Sequence, residues 1–98
     1  MEKKRKNPTK LQILNLLVQP YTFSILKEME EKPVRFSELV SKRITTPKTM
    51  SDKLRRLREY GLIDYVSIES KSGKYANAYQ ISDFGRRVLK ELKGIGII

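Results

Sequence analysis

The chain has 98 residues, a net charge of +10, and neither cysteine nor histidine. These absences exclude disulfide bonds, metal sites built from cysteine or histidine, and catalytic arrangements that pair histidine with serine or cysteine. The eleven acidic residues are scattered along basic segments, so an enzyme is the least expected class of protein, and we expect no metal site and no cofactor.

The positive charge predicts an anionic partner, and nucleic acid is the most common one. Residues 1–8 are basic and have little to bury, so we expect a flexible arm there and a single domain over residues 9–98. The longest apolar run, Leu16 to Val18, is too short to span a membrane, and no segment has the order of a signal peptide. We therefore expect a soluble, cytoplasmic protein associated with the nucleoid and not with membranes.

The first predicted helix covers residues 9–19 and carries more apolar side chains than one face can hold. The surplus favours a second copy of the chain as a partner, although a helix tucked deeply against its own core would give the same pattern. We include apolar residues of the last helix in this expected homodimer. The predicted dimer interface consists of Leu11, Ile13, Leu14, Leu17, Val88 and Leu92.

Two further helices are predicted before the most basic part of the chain. The second covers Tyr21 to Lys32, and the third is short and starts near Phe36, with Ser37 as its N-cap. The side chains expected to face the core from these helices are Ile25, Leu26, Met29, Leu39 and Val40.

A fourth helix is predicted over residues 46–60, with clear start and stop signals. Thr46 can cap its first turn, Pro47 suits the first helical position, and Gly61 suits a left-handed exit. Its single apolar stripe consists of Met50, Leu54 and Leu57. The opposite face is polar and basic. The helix-turn-helix arrangement consists of a short helix, a tight turn and a second helix with a polar face of this kind.

After Gly61 the apolar period changes from that of a helix to that of a strand. Residues 62–68 and 75–81 are predicted to form a hairpin whose basic tip, the wing, covers residues 69–75. Ser82 and Asp83 are expected to cap a final helix that ends at Gly94. The predicted fold class is α+β and mainly helical: a winged helix-turn-helix with an extra N-terminal helix and a C-terminal helix.

The order of these motifs resembles the winged-helix transcription regulators of the HxlR and MarR type. Such proteins share a recognition helix that ends in leucine, three residues, then Gly-Leu-Ile, and a second wing strand that leads into Ser/Thr-x-x-Gly. The matching positions are Leu57, Gly61, Leu62, Ile63, Tyr79, Ile81, Ser82 and Gly85. The resemblance implies a dimeric regulator that binds double-stranded DNA. Because the chain lacks cysteine and histidine, it departs from relatives that sense thiols or metals.

If the fold is of this kind, the fourth helix enters the major groove and the wing reaches the flanking minor groove or its phosphates. Arg55 and Arg56 would then contact guanine or clamp phosphates, while Asp52 would accept from cytosine or hold Arg56 in place. The full set of predicted DNA-binding residues is Lys48, Thr49, Ser51, Asp52, Arg55, Arg56, Lys71 and Lys74. A nonspecific architectural DNA-binding protein, or a winged-helix module for RNA or protein, remains an alternative.

Overall fold

The computed structural model describes residues 8–96, so residues 1–7 of the predicted arm and the last two residues lie outside the described part. Within residues 8–96 the chain forms five helices and one antiparallel hairpin. In chain order these are α1 (Lys10–Leu17), α2 (Thr22–Glu28), α3 (Phe36–Ser41), α4 (Pro47–Glu59), β1 (Ile63–Glu69), β2 (Tyr75–Ile81) and α5 (Asp83–Gly94). The predicted fold class, a winged helix-turn-helix with additional terminal helices, is confirmed.

Helix α1 begins at a reciprocal cap that its sequence specifies locally. The N–H of Gln12 donates to the Thr9 hydroxyl over 3.1 Å, and the N–H of Thr9 donates to the Gln12 side chain over 2.9 Å. This capping box satisfies two donors that a helix start leaves without partners. The helix ends at Leu17, two residues before the predicted end and ahead of Pro20.

Helix α2 is shorter than predicted, because the chain after it is needed for a contact with the hairpin. The prediction extended this helix to Lys32, whereas it ends at Glu28. Val34 then pairs with Tyr79 of β2 through two backbone hydrogen bonds of 2.8 Å. The residues between must leave the helix so that Val34 can lie extended beside the strand.

Helix α3 starts at Phe36, as predicted, but the same pairing corrects its predicted N-cap. The N-cap is Arg35, directly after the paired residue, and Ser37 lies inside the first turn. The backbone N–H of Arg35 donates to the Glu38 carboxylate over 2.9 Å, which is the bond that the acidic residue of a capping box makes to the N-cap. Leu39 of α3 is fully buried, as predicted.

The core lies between the helices and the base of the hairpin. The predicted stripe of α4 is fully buried, and the turn after this helix contains Gly61 at a φ of 78°, as expected for a left-handed exit. The largest fully buried side chains are Leu17, Ile25, Leu26, Met29, Leu39, Met50, Leu54, Leu57, Leu62 and Ile63. This shared core fixes α4 against α1, α2 and α3 while its polar face points outward.

A junction around Ser82 joins the hairpin to the helices on either side. The Ser82 hydroxyl donates to the carbonyl of Gly61 over 2.6 Å and accepts from the N–H of Gly85 over 2.9 Å. The backbone N–H of Ser82 also donates to the carbonyl of Leu62 over 3.0 Å. A Cβ at position 85 would lie 2.2 Å from that carbonyl oxygen, so only glycine permits this close approach of α5.

We expect Gly85→Ala to destabilise the fold by about 1 to 3 kcal/mol, because the methyl group would force α5 away from Leu62. Gly94→Ala is the matched control, since a Cβ at position 94 would meet nothing within 4 Å. That change is expected to leave stability unaltered or to raise it by up to about 1 kcal/mol. Urea unfolding followed by circular dichroism measures both effects, and equal stability of the two variants would contradict the close approach.

Candidate nucleic-acid interface

Helix α4 presents one continuous polar face. Thr46 caps its start by accepting from the N–H of Thr49 over 3.2 Å, and Pro47 takes the first helical position, as predicted. With the apolar stripe buried, the predicted groove residues fall on the outer surface. The exposed members are Lys48, Ser51, Asp52, Arg55 and Arg56, while Thr49 is half-buried. Because the backbone N–H of Thr49 is used by the cap, only its hydroxyl remains for another partner.

Asp52 contacts a different arginine from the one that the sequence suggested. Its carboxylate lies 3.6 Å from the guanidinium of Arg55, three residues on, rather than beside Arg56, four residues on. The two side chains are 52% and 65% exposed, so solvent weakens the attraction and the pair can separate at small cost. Asp52 therefore orients Arg55 without withdrawing it from an incoming partner.

Lys53 is a basic residue of α4 that serves the fold. Its ammonium group donates to the side chain of Gln19, just beyond the end of α1. Burial lowers the pKa of Lys53, and the positive charge of Arg56 lowers it further. The bond joins the middle of α4 to α1, so Lys53 is turned away from the outer face.

The end of α4 is fixed to the hairpin by aromatic contacts that sequence reasoning missed. The guanidinium of Arg58 lies 4.9 Å from the ring centre of Tyr65, within the range of a cation–π interaction. Tyr65 in turn packs against its cross-strand partner Tyr79 with ring centres 4.8 Å apart. Burial raises the pKa of Tyr79, the neighbouring Tyr65 raises it further, and Arg58 opposes the change. No signal in the sequence links these three positions, since register and helix rotation bring them together.

The wing places Lys71 and Lys74 at its exposed tip. The tip is a tight turn in which Gly73 has a φ of 84° and the N–H of Ser70 donates to the carbonyl of Lys74. Both lysines line a cleft whose opposite wall is Arg35, a residue outside the predicted set. The positions of the two predicted wing residues and of Arg35 thus define one basic surface between the wing and the start of α3.

The residues predicted for a dimer interface divide between the core and the surface. Leu11 is 66% exposed, whereas Leu14 and Val88 are half-buried. Ile13, Leu17 and Leu92 are buried in the core of the single chain. Val18, which is 62% exposed, lies two helical turns from Leu11 on the same side of α1. We call Leu11, Leu14 and Val18 the α1 stripe.

Neither a cluster of metal ligands nor a membrane-spanning helix occurs within residues 8–96. In this range no three acidic side chains converge in a way that could hold a metal ion. No helix in the described part of the chain is both long and apolar enough to cross a lipid bilayer.

Helix α3, a tight turn and α4, followed by an antiparallel hairpin, define a winged helix-turn-helix, the class of fold that offers its second helix to the major groove. The family model described as "HxlR-like helix-turn-helix" matches residues 16–96. Because this match spans most of the chain, the protein belongs to the HxlR-like family of DNA-binding transcriptional regulators. The resemblance inferred from the sequence is confirmed.

Solved structures with the same fold are also regulators. A PadR-like transcription factor from Bacteroides fragilis has a TM-score of 0.61 and 23% identity, with 84% of this chain and 82% of that chain covered. A PadR family transcriptional regulator from Eggerthella lenta has a TM-score of 0.61 and 25% identity over 84% and 76% of the two chains. No match was found among curated proteins. The matching families are transcriptional regulators and not enzymes.

Two substitutions in α4 distinguish residues that stabilise the fold from residues of its exposed face. Leu57→Ala is expected to lower the free energy of unfolding by about 2 to 5 kcal/mol, because Leu57 is fully buried. Arg55→Ala is expected to change it by no more than about 0.5 kcal/mol, because its side chain is largely exposed. Chemical denaturation of both variants checks this. A large decrease in the stability of Arg55→Ala would show that this arginine serves the fold.

Proposed function

We propose that this protein is a sequence-specific, dimeric transcriptional regulator that occupies sites on double-stranded DNA. Helix α4 would lie in the major groove, and the wing, residues 69–75, would contact the flanking backbone or minor groove. Such a regulator would be located in the cytoplasm, bound to the nucleoid.

The observation that carries the proposal is the division of α4 into a buried and an exposed face. Its apolar stripe is fully buried, whereas Arg55 and Arg56 lie in the open. A guanidinium can donate two parallel hydrogen bonds to O6 and N7 of guanine, which is the commonest specific contact in the major groove. Lys48, Thr49 and Ser51 lie near the start of the helix, where side chains commonly meet phosphates.

Selection from a random DNA pool, followed by binding titrations, tests this proposal. Wild-type protein is expected to enrich one site, and Arg55→Ala is expected to bind that site about 1 to 3 kcal/mol more weakly. The substitution should also relax the preference at one base pair, because a base contact carries sequence information that a phosphate contact lacks. Fluorescence anisotropy on the enriched site and on its single base-pair variants measures both effects.

Lys90→Ala is the matched control, since it removes the same charge from the exposed surface of α5. It is expected to retain the wild-type preference. Equal decreases in affinity for the two variants would mean that Arg55 contributes only general attraction. Enrichment of no site, with a steep dependence on salt, would favour the nonspecific architectural alternative or an RNA-binding module.

We also propose that two copies associate through the α1 stripe. Leu11 and Val18 are large apolar side chains left open to water on one side of one helix, and covering them would remove that surface from solvent. A two-fold arrangement would present two α4 helices to half-sites about 10 to 10.5 base pairs apart. An enriched inverted repeat in the selection would agree with this arrangement.

Replacing both Leu11 and Val18 by serine is expected to convert the dimer to a monomer without loss of helical content. Sedimentation velocity gives the mass in solution, and circular dichroism shows whether the fold is retained. Tyr75→Ser is the control, because it also removes an exposed large hydrophobic side chain, 72% accessible, but from the wing. A wild-type protein that sediments as a monomer at all concentrations would contradict the proposed dimer.

A further inference from the structure

A cleft of about 560 Å³ separates the wing from the start of α3. Its walls come from distant parts of the chain, which the pairing of Val34 with Tyr79 brings side by side. The lining residues are Arg35, Ser70, Lys71, Ser72, Lys74, Tyr75 and Ala76. The cleft therefore combines three cations with two serine hydroxyl groups and the phenol ring of one tyrosine.

None of the three cations of the cleft has an ion pair with a carboxylate in the described part of the chain. Ion pairs found in this range include Lys42 with Glu28, Arg55 with Asp52 and Lys93 with Glu30. None of these pairs involves a cation of the cleft. The nearby Glu38 accepts a hydrogen bond from Arg35 through one carboxylate oxygen. The donor of this bond is the backbone N–H of Arg35 and not its guanidinium.

A second cleft, beside α5, has part of its charge balanced by the chain. It is lined by Glu30, Arg86, Leu89, Lys90 and Lys93. There, the ammonium group of Lys93 lies 3.4 Å from the carboxylate of Glu30, so one of the cations already forms an ion pair within the chain. The cleft at the wing has no acidic residue in its lining, and it is the stronger candidate for an external anion.

The geometry points to a phosphate-binding site in which Arg35 and the wing lysines together hold one segment of the DNA backbone beside the major groove. This inference rests on the proposed DNA binding and adds a residue, Arg35, that lies outside both α4 and the wing. A guanidinium on one wall and ammonium groups on the other can reach different oxygens of one phosphodiester or of two neighbours. The hydroxyls of Ser70 and Ser72 are 2.9 Å apart and offer further donors.

Two properties of the cleft favour DNA backbone over other partners. The lining is cationic and polar with one exposed ring, so it does not suit an apolar ligand or a metal ion. It is also open to solvent along the wing, which lets a continuous polymer pass through rather than a small molecule settle in an enclosed pocket. Arg35 should therefore contribute to affinity for all sequences equally and not to the choice of site.

The test compares Arg35→Gln with wild type on the site enriched from the random DNA pool. Removal of one phosphate contact should reduce the slope of log affinity against log salt by about 0.9. Raising the salt from about 50 to 200 mM should weaken the binding of both proteins. The fold decrease in affinity should be about three to four times smaller for Arg35→Gln than for wild type. Arg35→Lys is expected to restore most of the slope, since it returns the charge. Lys90→Gln, which changes charge equally on α5, is expected to match wild type.

Neutral methylphosphonates placed in the DNA flank identify the contacted phosphate. They are expected to weaken wild-type binding and to have little effect on Arg35→Gln, because that variant no longer contacts the phosphate. The decrease in affinity of a variant lacking both Arg35 and Lys71 should be smaller than the product of the two single decreases, since both groups hold the same segment. Circular dichroism is expected to show that Arg35→Gln is folded, because this change retains the backbone N–H that bonds to Glu38.

The outcomes separate this inference from the proposed function. If wild type selects a site but Arg35→Gln has the salt slope of Lys90→Gln, the cleft does not contact DNA, while the proposed regulator stands. If wild type selects no site, the sequence-specific function fails, and the salt slopes are compared on a random-sequence duplex instead: a smaller slope for Arg35→Gln than for Lys90→Gln would still support the cleft, and equal slopes would overturn it. Inorganic phosphate, titrated at constant ionic strength and followed by NMR, distinguishes a small-anion site. Saturable phosphate binding with an unchanged DNA slope in Arg35→Gln would overturn the assignment to DNA.

Discussion

The placement of the wing depends on one buried hydroxyl group, that of Ser82. It donates to the carbonyl of Gly61, just after the end of α4, and accepts from the N–H of Gly85 in the first turn of α5. The hydroxyl thus joins the exit of α4 to the start of α5, with the hairpin between them. Since a buried, fully satisfied polar contact resists displacement, the wing and α4 are held at a fixed relative position.

The cations of α4 have two different roles, and the structure separates them by direction. Lys53 reaches back to Gln19, and Arg58 packs over the ring of Tyr65. These contacts fix the middle and the end of the helix against α1 and the hairpin. Because its apolar stripe is also buried, α4 cannot rotate to exchange its faces. Arg55 and Arg56 are therefore presented outward by a helix whose orientation the core and these contacts determine.

The sequence predicted those features of the fold that neighbouring residues specify. Thr46, Pro47 and Ser82 act on backbone groups within a single turn, so their types reveal their roles. Sequence reasoning chose Ser37 instead of Arg35 as the cap of α3, because that start is set by pairing with a distant strand. The basic cleft at the wing was missed for the same reason. Similarly, the apolar pattern of α1 could not show which of its side chains the chain's own core would cover.

The positive charge is distributed unevenly over the molecule, because carboxylates pair with some cations and not with others. Glu28 and Glu30 of the α2 region lie near Lys42, at the end of α3, and Lys93 of α5. These carboxylates partly offset the charge of two cations that lie outside α4 and the wing. The cations of the wing cleft have no such partners in its lining, and those of α4 point outward. An asymmetric field of this kind orients a protein during its approach to a polyanion, so α4 and the wing would meet DNA first.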